Sequence, residues 1–278
     1  DMATKTIAAL TSTQLNALGT SQVASLTKQL VAALTTGQVA GLSTTSLKVL
    51  TTDNIAALTN NQVRALSTTQ VAALTTGQVR AMESADIAVL STAQVAALDT
   101  SQVSALTTSQ LRALTTTALG GLTTTAVNSL STTQVNGLSA LNVAALSTAQ
   151  VAALSTTQLN AASSDVLGAL TTTQVAAIGT TALQGLTTGV IQTLTSTQVG
   201  GFSTAQVAAL TTAQVVALTT DDFKVLSTAQ VRALTTTQIP KIEVEDIRAL
   251  SSTQLNALTT TQFAALTATQ LVAALTGS

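Results

Sequence analysis

Apolar residues recur along the chain in a fixed eight-residue pattern. Leucine appears at every eighth position from Leu10 to Leu266. The exceptions on this ladder are Met2, Met82, Ala162, Ile178, Phe202 and Ile242. A second column lies five positions after each ladder residue, runs from Ile7 to Leu271, and contains only apolar residues. Self-similarity at a fixed period is typical of a repeat architecture.

The stretch Leu146–Leu154, Leu-Ser-Thr-Ala-Gln-Val-Ala-Ala-Leu, shows what one octapeptide encodes. Ser147 is a favourable N-cap and Gln150 stands three residues later, which is the pattern of a capping box. Leu146 and Val151 then form a hydrophobic staple on either side of the cap. The alanines that follow are strong helix formers. Each octapeptide therefore predicts one short helix of about two turns.

Charged residues test this register independently, because a helix N-terminus favours acids and the later turns favour bases. After Asp1, every acid falls between the N-cap and the third helical position: Asp53, Glu83, Asp86, Asp99, Asp165, Asp221, Asp222, Glu243, Glu245 and Asp246. Most bases share the fifth helical position: Lys48, Arg64, Arg80, Arg112, Lys224, Arg232 and Arg248. That column also holds several other residue types, which predicts that it faces solvent.

Two other architectures can be weighed against the same spacing. In one continuous helix the apolar stripe would rotate by roughly 80° per octapeptide, so no single face would stay buried. In a β-solenoid the two apolar columns, five residues apart, would point to opposite faces of an extended strand. Alanine is also a poor strand former, and the recurrent glutamine would need a separate explanation. Short helices fit the pattern best.

A single octapeptide cannot fold alone. Ordering eight residues costs roughly 8 to 16 kcal/mol, whereas burying one leucine and one valine returns about 3 to 6 kcal/mol. Neighbouring repeats must therefore cover each other, with both apolar columns inside and serine and threonine at the turns. We predict an all-α solenoid, a superhelix of short capped helices, as a single continuous domain over residues 1–278. The sequence does not fix the number of helices per superhelical turn.

Composition excludes most chemistry. The chain contains no Cys, His, Trp or Tyr, only 8% of its residues are charged, and its net charge is −1. The serine and threonine hydroxyls thus lack an activating base other than isolated carboxylates, and we predict no enzyme, no catalytic or metal site and no cofactor. No basic stripe or aromatic platform indicates nucleic-acid binding. No apolar run approaches the roughly 18 residues that would insert into a membrane.

Two segments depart from the pattern. Pro240–Arg248 is dense in charge, and Glu243, Glu245 and Asp246 could suggest a calcium site. Their cap and first-turn positions explain all three acids, and no calcium-binding loop motif is present. In the middle of the chain, glycines concentrate and the glutamine column is interrupted, which indicates either ordinary drift among repeats or a looser section. The interruptions are Ala118, Ala126, Val166, Ala182 and Val190.

The string Leu-Thr-Thr-x-Gln-Val-x-Ala-Leu resembles the opening of the repeats of TAL-effector DNA-binding proteins, which begin Leu-Thr-Pro-x-Gln-Val. The likeness covers one helix. The TAL-effector repeat is several times longer and carries a second helix and a base-reading pair, neither of which is present, so the resemblance implies no DNA recognition. Over its whole length, the Ala/Thr/Gln-rich octapeptide is also similar to repeat regions of large secreted bacterial surface and adhesin-like proteins.

The second resemblance implies a structural protein of the bacterial exterior, extracellular or at the cell surface, either a rod-like scaffold or a filament subunit. Residues 7–10 and 271–275 are as apolar as the interior, so we expect either self-association, end to end or lateral, or truncation from a longer array of repeats. The alternative is a module that presents threonine rows to carbohydrate, including a surface glycan, or to mineral or ice. The rows include Thr35, Thr36, Thr107, Thr108, Thr115 and Thr116.

Overall fold

A computed structural model describes residues 2–276, which are all-α, as predicted, and contain no strand. Most of the helices are five or six residues long. In chain order they are α1 Met2–Ala8, α2 Ser12–Asn16, α3 Thr20–Ala24, α4 Lys28–Ala32, α5 Thr36–Ala40, α6 Thr44–Val49, α7 Thr52–Ala56, α8 Asn60–Ala65, α9 Thr68–Ala73, α10 Thr76–Ala81, α11 Ser84–Ala88, α12 Thr92–Ala96, α13 Thr100–Ala105, α14 Thr108–Ala113, α15 Thr116–Leu119, α16 Thr124–Asn128, α17 Thr132–Asn136, α18 Ala140–Ala145, α19 Thr148–Ala152, α20 Thr156–Asn160, α21 Ser164–Gly168, α22 Thr172–Ala176, α23 Thr180–Gln184, α24 Thr188–Thr193, α25 Ser196–Gly200, α26 Thr204–Ala209, α27 Thr212–Ala217, α28 Thr220–Val225, α29 Thr228–Ala233, a 3-10 helix Ile239–Lys241, α30 Val244–Ala249, α31 Ser252–Asn256, α32 Thr260–Ala264 and α33 Ala268–Thr276.

The helices begin as the capping box predicts. Ahead of α19, the hydroxyl of Ser147 accepts the Gln150 backbone N–H at 3.2 Å, and Gln150 Oε1 accepts the Ser147 backbone N–H at 2.8 Å. The same reciprocal pair precedes α9, between Ser67 and Gln70. Together the two bonds satisfy two of the backbone donors that a helix N-terminus leaves free.

Most helices are shorter than the two turns expected, because each ladder residue leaves the helical conformation. Leu66, which follows α8, has φ −61° and ψ 131°, which is extended backbone. This turn redirects the chain into the next cap. The result is about one and a half turns of helix followed by a sharp corner in most octapeptides.

Within residues 2–146 and within residues 147–276, most helices stack on the helix three octapeptides further along the chain. In the first part of the chain α5 packs on α8, α8 on α11, and α11 on α14. Three octapeptides, 24 residues, therefore make one superhelical turn, which we call a coil. The chain divides into two compact units, Asp1–Leu146 and Ser147–Ser278. The single continuous domain stays a prediction.

Both apolar columns form the core, as predicted. In α8 to α10 the second-column residues Val63, Val71 and Val79 are at most 1% exposed, and the ladder residues Leu66 and Leu74 are 4% exposed. Burial weakens in the last coil, where Phe263 is 41% exposed and Leu255 and Leu271 of the same column are half-buried.

Pro240 replaces one helix with a 3-10 turn. It occupies the fifth helical position of its repeat, where its ring and missing N–H disrupt an α-helix. The buried contacts survive, since Ile239 is fully buried and Ile242 is 3% exposed. The register of the following repeats is therefore unchanged.

Candidate functional site

The most specific arrangement of polar groups is buried between coils. From Gln38 onward, every glutamine in the capping-box column is buried, with 1% to 6% of its surface exposed. Gln70 shows the geometry: its Nε2 donates to the Val39 and Leu42 carbonyl oxygens, both at 2.8 Å. One side chain thus caps its own helix and bonds to the coil before it.

These inter-coil hydrogen bonds repeat at fixed sequence distances. In fifteen repeats the glutamine donates to the carbonyls 31 and 28 residues earlier, at 2.7 to 3.2 Å and 2.6 to 2.8 Å respectively. The glutamines concerned are Gln38, Gln62, Gln70, Gln78, Gln94, Gln102, Gln110, Gln134, Gln198, Gln206, Gln214, Gln238, Gln254, Gln262 and Gln270. A primary amide suits this position because it offers an acceptor and two donors at once.

Sequence reasoning identified glutamine only as a capping partner and missed its second role. Asn54 and Asn142 keep a shortened version, since their Nδ2 atoms reach only the carbonyl 28 residues earlier, at 2.8 and 3.2 Å. Ala118, Ala126 and Val166 keep the backbone cap but have no side-chain donor. These three repeats therefore lack the inter-coil hydrogen bond that a glutamine makes.

The solvent-exposed columns are the caps, the first turn and the fifth helical position. Arg64, Arg80 and Arg112 are all exposed, as predicted for that column. Shallow open grooves lie between stacked repeats of the first unit, lined mainly by hydroxyl groups. One of about 430 Å³ is lined by Thr108, Ser109, Arg112, Thr133, Asn136 and Gly137.

The charge-dense segment near Pro240 stacks on an acidic repeat one coil earlier, since α30 packs on α28. Lys224 pairs with Asp221 at 2.8 Å and Arg248 with Glu245 at 3.6 Å, each within its own helix and exposed. No group of carboxylates within residues 2–276 is arranged to hold a metal ion.

Three buried aspartates take the place of the glutamine in this column: Asp86, Asp222 and Asp246. Burial raises the pKa of the Asp86 carboxyl, with a further increase from the charge of Glu83. Burial also raises the pKa of Asp246, although a hydrogen bond from the Thr220 hydroxyl, at 2.8 Å, opposes the shift. This hydroxyl–carboxylate pair lies outside the grooves of residues 76–137 described above.

No helix between residues 2 and 276 combines the length and apolar character that crossing a membrane requires. No curated protein matches the chain. The ALTTAQ repeat model matches it seven times, at residues 31–60, 56–82, 79–116, 108–140, 191–220, 215–240 and 239–276. These matches cover residues 31–140 and 191–276, well over half of the 278 residues. The chain therefore belongs to the ALTTAQ repeat family.

Proposed function

We propose that this repeat protein is a structural scaffold, a rod-like spacer or a subunit of a self-assembling filament, without catalytic activity. The repeated helical architecture supports this role. The recurrent buried glutamine amides bond to the backbone and join one coil to the next. The residue types at the apolar, cap and glutamine positions of the octapeptide are thus explained by their roles in forming and stacking coils.

The observation that carries the proposal is the first coil. Gln14 and Gln22 are exposed there, although each still accepts the backbone N–H of its own cap, at 2.8 and 2.9 Å. Within the described chain, their Nε2 atoms donate no inter-coil hydrogen bond. The first coil therefore carries two exposed glutamines whose Nε2 groups make no hydrogen bond to another coil of the described chain.

The last coil presents the opposite half of the same interface. No glutamine of the described chain donates to the Leu255 and Leu258 carbonyl oxygens, whose equivalents accept in earlier coils. Phe263 is 41% exposed beside them. Donors on one surface and acceptors with apolar area on the other can continue the stacking, with a second copy or with further repeats of a longer chain.

Electron microscopy and analytical ultracentrifugation of the purified protein test the filament form. We expect wild-type protein to form end-to-end assemblies as its concentration rises. The double variant Gln14→Glu/Gln22→Glu removes the donors and adds charge, so it should assemble much less.

The matched control is Gln184→Glu/Gln192→Glu, which makes the same chemical change at two exposed glutamines of the fifth helical position. It should assemble like wild type. A strictly monomeric wild-type protein at high concentration would rule out the filament. Equal assembly of both double variants would place the contact elsewhere on the surface.

We also propose an extracellular or cell-surface location in a bacterium. The composition supports it, because a chain without Cys and with 8% charged residues suits an abundant, oxidation-resistant material. Protease treatment of intact cells tests this location. Digestion of the protein while cytoplasmic markers survive is the expected result, and full protection would contradict it.

A further inference from the structure

Asp86 occupies a position where neighbouring repeats use a glutamine. The repeats on either side place Gln78 and Gln94 there, and both donate to carbonyls of the preceding coil. Asp86 is equally buried, at 2% exposed. The equivalent acceptor for Asp86 is the Leu58 carbonyl, 28 residues earlier, and in the described chain it accepts no hydrogen bond from a side chain.

Asparagine shows that a side chain of this length can reach the acceptor. Asn54 Nδ2 lies 2.8 Å from the Leu26 carbonyl and Asn142 Nδ2 lies 3.2 Å from the Leu114 carbonyl. Aspartic acid has the same shape as asparagine. A protonated carboxyl oxygen can therefore donate where the amide nitrogen donates.

The bonds that Asp86 makes in its own repeat match those of asparagine. Asp86 Oδ2 accepts the Glu83 backbone N–H at 3.0 Å, as Asn142 Oδ1 accepts that of Ser139 at 3.1 Å. This equivalence puts Asp86 Oδ1 at the position of the amide nitrogen, on the side of the Leu58 carbonyl. When the carboxyl is ionised, two acceptor oxygens face each other and no hydrogen bond forms.

We propose that Asp86 is a proton-dependent contact between coils: its protonated carboxyl donates a hydrogen bond to the Leu58 carbonyl, and ionisation breaks that bond. The stacking of α11 on the preceding coil consequently tightens as pH falls. A glutamine at this position of the octapeptide forms an inter-coil contact that does not depend on pH. An aspartate at the same position forms one that does.

The surroundings of Asp86 favour the protonated form. Burial is the main cause of its raised pKa, and the charge of Glu83 at the cap of the same helix adds to it. The helices packed on α11 are α8 and α14, which carry Arg64 and Arg112. Neither arginine forms an ion pair with Asp86 in the described chain, and both are exposed. Asp53 is the charged residue of α7, the helix before Leu58.

The direction of the pH effect on stability follows from the raised pKa of Asp86. A carboxyl whose pKa is higher in the folded state binds protons more readily there than in the unfolded chain. Its full contribution to stability is present below the unfolded-state pKa of about 3.9 and is lost as pH rises through the folded-state pKa. The hydrogen bond from Asp86 to the Leu58 carbonyl should therefore be formed in mild acid and broken at neutral pH.

Hydrogen exchange of full-length wild type and Asp86→Asn, compared at the same pH, tests the proposal. Asparagine supplies a permanent donor and already occurs in this column, so the variant should fold. At about pH 7 we expect the α11 amides to exchange about fivefold more slowly in the variant, the factor that one net hydrogen bond supplies. At about pH 3.5 the two proteins should exchange alike.

Asp53→Asn is the matched control, because it removes one exposed carboxylate of the first turn and leaves the inter-coil contacts intact. It should exchange like wild type at α11 at both pH values. The carboxyl ¹³C shift of Asp86 should also titrate at higher pH than that of an aspartate in an unfolded chain. Equal exchange of wild type and Asp86→Asn at neutral pH, or a difference that is independent of pH, would overturn the proposal.

Discussion

At the scale of the residue, one glutamine combines two kinds of hydrogen bond. Gln70 Oε1 accepts the Ser67 backbone N–H at 2.8 Å, and its Nε2 donates to the preceding coil. A buried amide is costly unless its donors and acceptor are satisfied, and here all are. Glutamate could cap the helix but could not donate, and asparagine reaches one carbonyl only. Glutamine therefore recurs in this column because it also joins two coils, in addition to capping its own helix.

Gln70→Glu separates the two roles. The acceptor for the cap remains, but the Val39 and Leu42 carbonyls lose their donor and a charge is buried. At neutral pH we expect the free energy of unfolding to fall by about 1 to 3 kcal/mol. Urea denaturation followed by circular dichroism measures this change.

Gln14→Glu is the control for the same substitution, since Gln14 makes the cap bond at 2.8 Å without an inter-coil bond. Its effect on stability should be close to zero. If both variants lose the same stability, the cost comes from the cap and the inter-coil hydrogen bonds contribute little.

At the scale of the element, each helix depends on the close approach of another coil. Helices of five or six residues are too short to be stable in isolation, so packing must stabilise them. The residue before the ladder position is Ala or Gly in most repeats, and its small side chain permits that approach. Gly121 is the extreme case: a Cβ there would lie 2.3 Å from the Thr92 carbonyl oxygen and 3.1 Å from the Ala96 nitrogen.

Gly121→Ala should therefore destabilise the protein, because both neighbouring atoms are backbone and cannot move without shifting α12. We expect a loss of about 1 to 3 kcal/mol, as for other overpacked sites. Gly168→Ala is the matched control, since a Cβ at Gly168 meets nothing within 4 Å. That variant should gain about 0.5 to 1 kcal/mol from higher helix propensity. Thermal denaturation measures the unfolding midpoint of both variants. Equal shifts of the midpoint from the wild-type value would contradict the close approach at Gly121.

At the scale of the whole molecule, the main contacts within each compact unit join neighbouring coils. Helices pack on those three places away, and the inter-coil glutamines reach back 28 and 31 residues. Stability in such an array is approximately a sum of repeat and nearest-neighbour contributions. A change in length should therefore be tolerated when it preserves the coil.

Deletion of residues 51–74, three whole octapeptides, tests this modularity. Leu50 is then followed by the cap Thr75. The deletion removes α7, α8 and α9, on which α10, α11 and α12 stack, and leaves α4, α5 and α6 in the equivalent places to receive them. We expect unchanged helicity per residue by circular dichroism with a lower midpoint of unfolding. Deletion of residues 51–62 instead joins Leu50 to Val63 and removes a cap, so helicity should fall. Similar helicity losses in both deletions would show that the coil is not the structural unit.

The sequence by itself determines where each helix begins, which columns are buried and which position faces solvent. Caps and staples join residues within five positions of one another, so their geometry is local, and Ser147 and Gln150 pair as predicted. The strict register of Leu10 to Leu266 adds that every octapeptide has the same role. All-α architecture follows from these two facts.

Only the tertiary structure decides that three octapeptides make a coil and that glutamine joins coils. Both depend on the angle at the ladder residue, such as ψ 131° at Leu66, accumulated over successive corners. Small changes in that angle would bring a different repeat into contact. The hydrogen bond from Gln70 to Leu42 exists only once that packing brings residues 28 apart together.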